Sequence, residues 1–305
     1  MATVREIRRR IKSVKNIAQV TRAMQAVSAS RMRRAQEAVL ATRPYAQRAW
    51  TLLMHLAAQR VEQEEMHPLL QARPVTKVAL LLLTSDRGLC GAFNANIIRL
   101  ALEYIQALPV EADVVTVGRK GRNTMLRRGQ SLVAEFSDLP AQPVLADVTP
   151  IARVALDGFR DGTYDAVWLA YTDFINTLRQ VPVIKRLLPL TPTEMEKQAL
   201  AEYVEDTAPE TVEVPEYIYE PDPRTILDTV LPRFTELQVY QAVLESIASE
   251  HSARMVAMRN ATDNAESLTQ DLQLTYNKAR QRAITREIVD IAGGAEALAQ
   301  ARAAG

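Results

Sequence analysis

One segment carries residue types that could do chemistry. Ser85–Gly91 places a serine, an aspartate, an arginine and a cysteine in a glycine-bearing turn directly after an apolar run. In an α/β sheet, a turn at this place is the usual position of a phosphate cradle or a nucleophile. The segment lacks the glycine spacing of a P-loop, a dinucleotide-binding turn or a serine-hydrolase elbow. It therefore predicts neither nucleotide binding nor serine hydrolysis.

Cys90, the one cysteine of the chain, could act as a nucleophile only beside a base. The three histidines, His55, His67 and His251, all lie outside this domain by sequence. Cys90 is therefore interpreted as a small buried residue beside a tight turn. No second histidine, cysteine or paired carboxylate stands at ligand spacing from His251, so the sequence predicts no metal site and no cofactor.

The distribution of proline and glycine predicts the elements that flank this segment. Met1–Arg43 and Arg233–Ala292 contain neither residue, and all fifteen prolines fall between Pro44 and Pro232. Since proline breaks a helix interior and glycine weakens it, we expect two long helices around a globular middle. The first should run to about residue 58 and the second, longer one from about Thr225 to Ala292.

Apolar residues at helical spacing predict that these two helices pair as an antiparallel coiled coil whose second helix projects beyond the first as a single tip. The expected stripe of the first helix is Val4, Ile7, Ile11, Val14, Ala18, Met24 and Val27. The expected seam of the second, in steps of seven, is Leu237, Leu244, His251, Met258, Ala265, Leu272 and Ala279. An intermediate set between these steps is mixed: Tyr240, Ile247, Arg254, Ala261, Leu268, Thr275 and Arg282.

The middle of the chain reads as alternating strands and helices, which predicts an α/β layer with a largely parallel sheet. The expected strands are Lys77–Thr84, Ala112–Gly118, Tyr164–Thr172 and Val181–Leu190. The expected helices are one capped by Asn94 or Asn96 and running to about Leu108, then Arg119–Arg128 and Thr149–Arg160.

Charge is unevenly distributed although the net charge is +1. Met1–Arg60 holds thirteen Lys and Arg against Glu6 and Glu37, a balance of +11. A basic first helix predicts an acidic or anionic partner or a solvated face. Thr191–Glu216, with eight acidic residues against Lys197, should be a solvated connection. No apolar segment reaches the roughly 18 residues that span a bilayer, so we expect any membrane association to go through a partner.

Five blocks of residues, in order along nearly the whole chain, resemble the γ-subunit family of F-type ATP synthases. They are the N-terminal run from Glu6 to Arg33 with Arg43–Tyr45; Ser85–Gly91; Phe174–Thr177 with Gln180–Pro182; Tyr219–Pro223; and Ala253–Ala265 with the terminal signature Ile284–Glu287, Asp290, Gly294 and Ala295.

The resemblance implies a central rotor shaft: an antiparallel coiled coil of the terminal helices with an inserted Rossmann-like α/β domain. Such a shaft sits in a ring of three α and three β subunits and meets the ε subunit and the membrane c ring. It couples rotation of the c ring to conformational change at the three β subunits without catalysis of its own. The implied place is peripheral, on the cytoplasmic side of the cell inner membrane.

The resemblance also implies site residues. Met24 and Arg254 match positions near the mobile lever of β, and Arg280, Gln281 and Thr285 match positions near its catch loop. Arg9, Arg33 and Arg34 join the β-contact set on charge alone. Tyr219 and Glu220 resemble the foot that meets ε and the c ring.

The expected domains are an N-terminal coiled-coil helix over 1–60, the α/β domain over 75–190, an acidic connection and foot over 191–224, and a C-terminal coiled-coil helix over 225–305. Two other readings remain open at the level of sequence. One is an enzyme whose α/β domain uses Cys90, with the helices as a dimerisation arm; the other is a helical hairpin that binds nucleic acid through its basic first helix.

Overall fold

A computed structural model describes residues 3–58, 67–190 and 222–303. The chain divides into two compact units, one formed by Met1–Val27 and Met255–Gly305 and the other by Ser28–Arg254. The acidic connection Thr191–Glu216 and the foot residues Tyr219 and Glu220 lie outside the described residues.

The first helix, α1, spans Val4–Ala58. It begins with a capping box: the Thr3 N–H donates to the Glu6 carboxylate at 2.8 Å, and the Glu6 N–H donates to the Thr3 hydroxyl at 3.3 Å. The described part of α1 reaches the predicted end near residue 58, and residues 59–66 lie outside the described ranges.

The α/β part of the second unit follows a short 3₁₀ turn at Pro68–Leu70. Its strands are β1 (Lys77–Leu83), β2 (Glu111–Val117), β3 (Ser131–Phe136), β4 (Ala166–Phe174) and β5 (Gln180–Leu188). Its helices are α2 (Phe93–Ala107), α3 (Arg119–Arg127) and α4 (Leu145–Arg160).

The sheet order is β3-β2-β1-β4-β5, and all neighbours are parallel except β4 and β5. The largely parallel sheet was predicted; β3 was not. β1 is apolar along its length because both of its faces are covered. Leu80 and Leu82 pack with Ile97 of α2, whereas Leu81 belongs to the core that contains Phe159 of α4.

The last helix, α5, spans Pro223–Ala303 and is longer than α1, as predicted. Asp222 caps it by accepting the Thr225 N–H at 2.9 Å. Within the second unit its first turns join the same core as α4, through Leu231, Phe234 and Val243. The expected end at Ala292 is wrong, because the helix continues through Gly293 and Gly294.

Two local expectations about helix starts are also wrong. α2 begins after Ala92 with no side-chain cap, and Asn94 instead binds Ser85. α4 begins at Leu145, four residues earlier than predicted, because the Asp147 carboxylate accepts the Val144 N–H at 2.8 Å. For α4, a side-chain hydrogen bond that apolar periodicity does not reveal sets the boundary.

Within the first unit, the two helix segments run antiparallel. Thr21 meets Thr262, whereas Ile7, nearer the start of α1, shares a groove with Ala279, further along α5. The predicted seam of α5 is confirmed in part. In this unit Met258 and Ala265 are buried, whereas Leu272 and Ala279 are half-buried. In the second unit, Leu237, Leu244 and His251 are buried. The antiparallel pair of the fold prediction is therefore present in the first unit.

The buried residues that alternate with these seam positions differ from the apolar residues that the sequence suggested. Leu268 of the intermediate set is exposed, and the buried position is Thr262. On α1, Val27 is exposed, whereas Thr21 and Ser28 are buried. The seam follows alternating steps of three and four through small polar residues, which a search for apolar residues passes over.

Candidate partner-binding surface

The predicted contact residues of the first unit lie on helix surfaces. Arg9 is exposed on α1, in a basic stretch from Arg5 to Lys15. Met24 is half-buried. Because the outer face of this α1 segment carries the excess positive charge, it can attract an acidic surface.

Arg280, Gln281 and Thr285 are exposed on α5. Gln281 and Thr285 share a shallow surface groove with Lys278, Arg282 and Arg286. The groove also contains Val289 and the carboxylate of Asp290. Its hydroxyl, amide and cationic donors outnumber that carboxylate and are suited to acidic oxygen acceptors.

Exposed apolar side chains accompany these polar groups along the same stretch of α5. Ile284, Ile288, Val289 and Ile291 are each about half exposed or more. An apolar stripe among cationic residues is typical of a surface that is covered by a protein partner.

The last part of α5 in the first unit has no α1 segment beside it. Thr3 and Val4 share their groove with Asp290 and Ile291, so the segment of α5 after Ile291 lies past the start of α1. A side chain added at Gly293 or Gly294 would meet no atom within 4 Å. A helix of this kind gains little from its own packing, which favours a role inside a surrounding partner.

In the second unit, Arg33 and Arg34 are exposed on α1, but Arg254 is buried. Its guanidinium donates to the Glu250 carboxylate at 2.6 Å and to the Gly88 carbonyl at 3.3 Å. It also lies 3.2 Å from His251 Nδ1. Arg254 therefore binds within its own unit.

This cluster has displaced pKa values. Burial raises the pKa of the Glu250 carboxyl above its usual range, against the opposing effect of Arg254. Burial, together with the charges of Arg254 and Arg31, lowers the pKa of His251 to about 4. A guanidinium can only donate, so His251 Nδ1 accepts and the imidazole is neutral.

The loop Ser85–Gly91, which joins β1 to α2, faces this cluster. The Ser85 hydroxyl donates to the Arg87 carbonyl at 2.7 Å, and the Ser85 N–H donates to Asn94 Oδ1 at 3.0 Å. The amide of Asn94 donates to Cys90 Sγ at 3.1 Å. Cys90 is buried, and these neighbours contain no base that could activate the thiol.

Sequence reasoning missed Leu89 in this loop. Leu89 is 64% exposed and has φ +64°, the left-handed region that leucine rarely adopts. A leucine between Gly88 and Cys90 in a tight turn was the available signal.

The described residues contain no cluster of three or more His, Cys, Asp or Glu side chains suited to a metal ion. Across the same ranges, no helix combines the length and apolar character that crossing a membrane requires.

The chain matches the family described as ATP synthase over residues 3–298. It is 50% identical to the ATP synthase gamma chain of Roseiflexus castenholzii over 304 residues, which is 98% of this chain and all of that one. It is 49% identical to the gamma chain of Dehalococcoides mccartyi over 300 residues, with the same shares covered.

Solved structures agree on the fold. The central stalk and c-ring structure of the Tetrahymena thermophila mitochondrial ATP synthase contains a chain with a TM-score of 0.56 at 25% identity, covering 79% of this chain and 99% of that one. A chain of the Euglena gracilis mitochondrial rotor gives 0.62 at 20% identity, covering 92% and 98%. The chain therefore belongs to the ATP synthase γ-chain family, whose members form the central stalk of that complex.

Proposed function

We propose that this chain is the non-catalytic rotating shaft of an ATP synthase, which couples rotation of the membrane c ring to conformational change at three catalytic β subunits. The observation that carries the proposal is the antiparallel pair in the first unit. Thr21, Thr262 and Ala265 form a narrow buried seam, while the outer faces carry cationic and apolar side chains. Such a pair buries little surface of its own and presents most of its area to a surrounding partner.

The proposed partners are the α and β subunits, which form a ring around the paired helices, and the ε subunit and c ring at the foot. Family membership and the solved central-stalk relatives support them. Through the c ring, the chain would be held peripherally on the cytoplasmic side of the cell inner membrane. The proposed domains are the N-terminal coiled-coil helix over 1–60, the α/β domain over 75–190, the acidic connection and foot over 191–224, and the C-terminal coiled-coil helix over 225–305.

The proposed contacts with β on the first unit are Met24, Arg9, Arg280, Gln281 and Thr285. Their support is the exposure of the last three on one stretch of α5 and the cationic groove beside Gln281 and Thr285. On the second unit, the proposed contacts are Arg33 and Arg34. Arg254, which the resemblance places near β, is covered by its own unit and is not proposed as a direct contact. Tyr219 and Glu220 are proposed to meet ε and the c ring.

The proposed mechanism is differential contact. A partner shifts a conformational equilibrium only by as much as it binds one state better than another. The paired helices differ in charge, since residues 3–27 of α1 hold seven Lys and Arg against Glu6, whereas residues 255–303 of α5 hold six basic and six acidic residues. As the shaft turns, each β subunit would meet these unlike helices in succession, which changes its nucleotide affinity.

Assembly provides the first test. When the full chain is mixed with purified α and β chains, we expect one copy to co-purify with three of each. If the chain stays monomeric beside an assembled ring, the proposal fails.

A matched pair of substitutions tests the seam itself. Ala265→Asp would place a carboxylate in the buried seam, whereas Asn264→Asp would place the same charge on the exposed neighbour. In the complete complex, we expect Ala265→Asp to lower ATP synthesis strongly and Asn264→Asp to leave it near the unmodified rate. Equal rates for the two variants would mean that the seam is not needed for coupling.

A further inference from the structure

Arg254 is surrounded by groups of its own unit. The residue is 8% exposed, and its guanidinium donates to Glu250 and Gly88 and lies beside His251 Nδ1. Because the side chain is almost fully covered, a second chain could reach this guanidinium only if the groups around it moved. Breaking the bond to Glu250 would leave a buried carboxylate without its cation, which is strongly unfavourable.

The bond to Gly88 reaches the middle of the Ser85–Gly91 loop. The start of the loop is held by other groups: Asn94 binds the Ser85 N–H, and the Asp86 carboxylate accepts the N–H groups of Arg119 at 3.1 Å and Asp138 at 3.0 Å. Arg254 therefore supplies a bond at the point where the chain turns toward Leu89.

Leu89 needs such support. A leucine that is 64% exposed gains little from burial, and its positive φ is a conformation that the surrounding structure must enforce. The next residue, Cys90, is already buried beneath the loop. A fixed Gly88 carbonyl on one side and a buried Cys90 on the other confine Leu89 to the outer surface of the turn.

We infer that Arg254 is a positioning residue, which acts on a partner through the Gly88–Leu89 turn that it fixes and not by direct contact. The partner contact is an apolar one made by Leu89. In naming a β subunit as that partner, the inference rests on the proposed function above. The fixing of the turn by Arg254 does not depend on it.

Thiol labelling of Cys90 tests the fixing of the turn in the full chain, because Cys90 is the one cysteine of the chain. Labelling of a buried thiol by a maleimide reports local opening of the segment above it. We expect Arg254→Met to speed the labelling by at least about tenfold, since the methionine keeps the apolar stem but loses the donors. The matched control is Arg259→Met, an exposed arginine of the same helix, which should label at the unmodified rate.

A second variant covers the case in which Arg254→Met unfolds because Glu250 is left unpaired. Glu250→Gln combined with Arg254→Met removes the buried charge, and circular dichroism verifies that the helices remain. Labelling of this folded double variant at the unmodified rate would overturn the inference.

A mutant cycle in the assembled α, β and γ complex tests how Arg254 acts. If Arg254 works through Leu89, then Leu89→Ala and Arg254→Met each lower coupled ATP synthesis, and the two together lower it no further than the stronger one alone. If Arg254 touches the partner directly, the two losses multiply, and the inference is wrong. Failure of the unmodified chain to assemble would refute the proposed function but leave the labelling result standing.

Discussion

The hydroxyl oxygen of Thr21 lies 2.6 Å from the hydroxyl oxygen of Thr262, although 241 positions separate the two residues in the chain. The Thr262 hydroxyl also lies 2.9 Å from the Met258 carbonyl, and the Thr21 hydroxyl lies 3.1 Å from the Ile17 carbonyl. Each hydroxyl has one proton, so one threonine donates to the other and the second donates to its own helix. This buried pair fixes which residues of the two helices stand opposite each other.

The threonine pair predicts a measurable coupling. Thr21→Val and Thr262→Val should each destabilise the full chain by about 1 kcal/mol, because each leaves a buried hydroxyl with fewer partners. The double variant should cost less than the sum, with a coupling of about 1 kcal/mol in urea unfolding. Strict additivity would show that the two hydroxyls do not depend on each other.

Asp113 predicts an effect on the stability of the α/β part. Its carboxylate is mostly buried, lies 2.8 Å from Lys77 Nζ, and accepts from the hydroxyls of Ser131 at 2.6 Å and Tyr164 at 3.3 Å. Burial raises the pKa of this carboxyl, but the hydrogen bonds from Lys77 and Ser131 outweigh burial and hold it below its usual value. Asp113→Ala should cost about 1–3 kcal/mol of unfolding free energy.

Asp113 also predicts how the stability of the folded chain changes with pH. Because the pKa of Asp113 is lower in the folded chain, its contribution is present above the unfolded pKa and is lost as the pH falls through the folded one. The stability difference between the unmodified chain and Asp113→Ala should therefore shrink in acid. Glu103→Ala, at an exposed site of α2, is the control and should stay within about 0.5 kcal/mol.

His251 also predicts a loss of stability in acid, this time from a group that becomes positively charged. Its pKa is about 4 when folded, against the ordinary value of 6.5, because it is buried and faces the charges of Arg254 and Arg31, with Glu250 bound to the same guanidinium. The unfolded chain therefore takes up this proton first as the pH falls. Stability from this group should decline between about pH 6.5 and pH 4, by about 3 kcal/mol at most.

His251→Gln isolates the contribution of His251 to the pH dependence of stability, since glutamine can accept a hydrogen bond but has no titratable group. Urea midpoints of both chains should be compared at pH 7 and pH 5, because Glu250 titrates in both and cancels in the difference. A loss of stability in acid that is the same for both chains would show that His251 is not its source.

Two glycines with positive φ predict different outcomes for the same substitution. At Gly118, φ +98°, an added Cβ would lie 2.2 Å from the Thr84 carbonyl oxygen; at Gly129, φ +70°, it would meet nothing within 4 Å. Gly118→Ala should cost about 3 kcal/mol or more, because the backbone of Thr84 must move, whereas Gly129→Ala should cost about 1 kcal/mol. Similar thermal shifts for the two variants would contradict this account.

Substitution of Arg280 should change ATP synthesis by the complex without changing the stability of the chain. It is exposed on α5, so Arg280→Ala should alter the stability of the full chain by less than about 0.5 kcal/mol. If it contacts β as proposed, ATP synthesis by the complex should fall roughly fivefold, which corresponds to about 1 kcal/mol. Arg259→Ala, exposed on the same helix, is the control. Equal rates for the two variants would remove Arg280 from the proposed contact set.

The parts of the fold that were predictable are those in which burial dominates. The run Lys77–Leu83 could be read as a central strand because both of its faces are covered, and α1 and α5 could be read from the absence of helix breakers. Strand β3 was missed because Ser131–Phe136 lies at the sheet edge and alternates between exposed and half-buried residues, so its apolar signal is weak.

The seam and the candidate surface show where sequence reasoning fails. Met24 and Val27 were assigned to the seam because they are apolar, but its buried positions there are Thr21 and Ser28. The burial of Arg254 was equally hidden, because a charged residue is buried only when specific partners surround it, and those partners come from distant parts of the chain. Tertiary contacts decide both cases.

The buried seam positions of the paired helices follow one another in alternating steps of three and four residues, and this spacing has a mechanical consequence. A right-handed helix has slightly more than 3.5 residues per turn, so two helices that keep a seven-residue period in contact must wind around each other with left-handed sense, like strands of a rope. A torque in one direction overwinds such a left-handed supercoil, and a torque in the other direction unwinds it. The helix pair would then be stiffer under torsion in one direction than in the other.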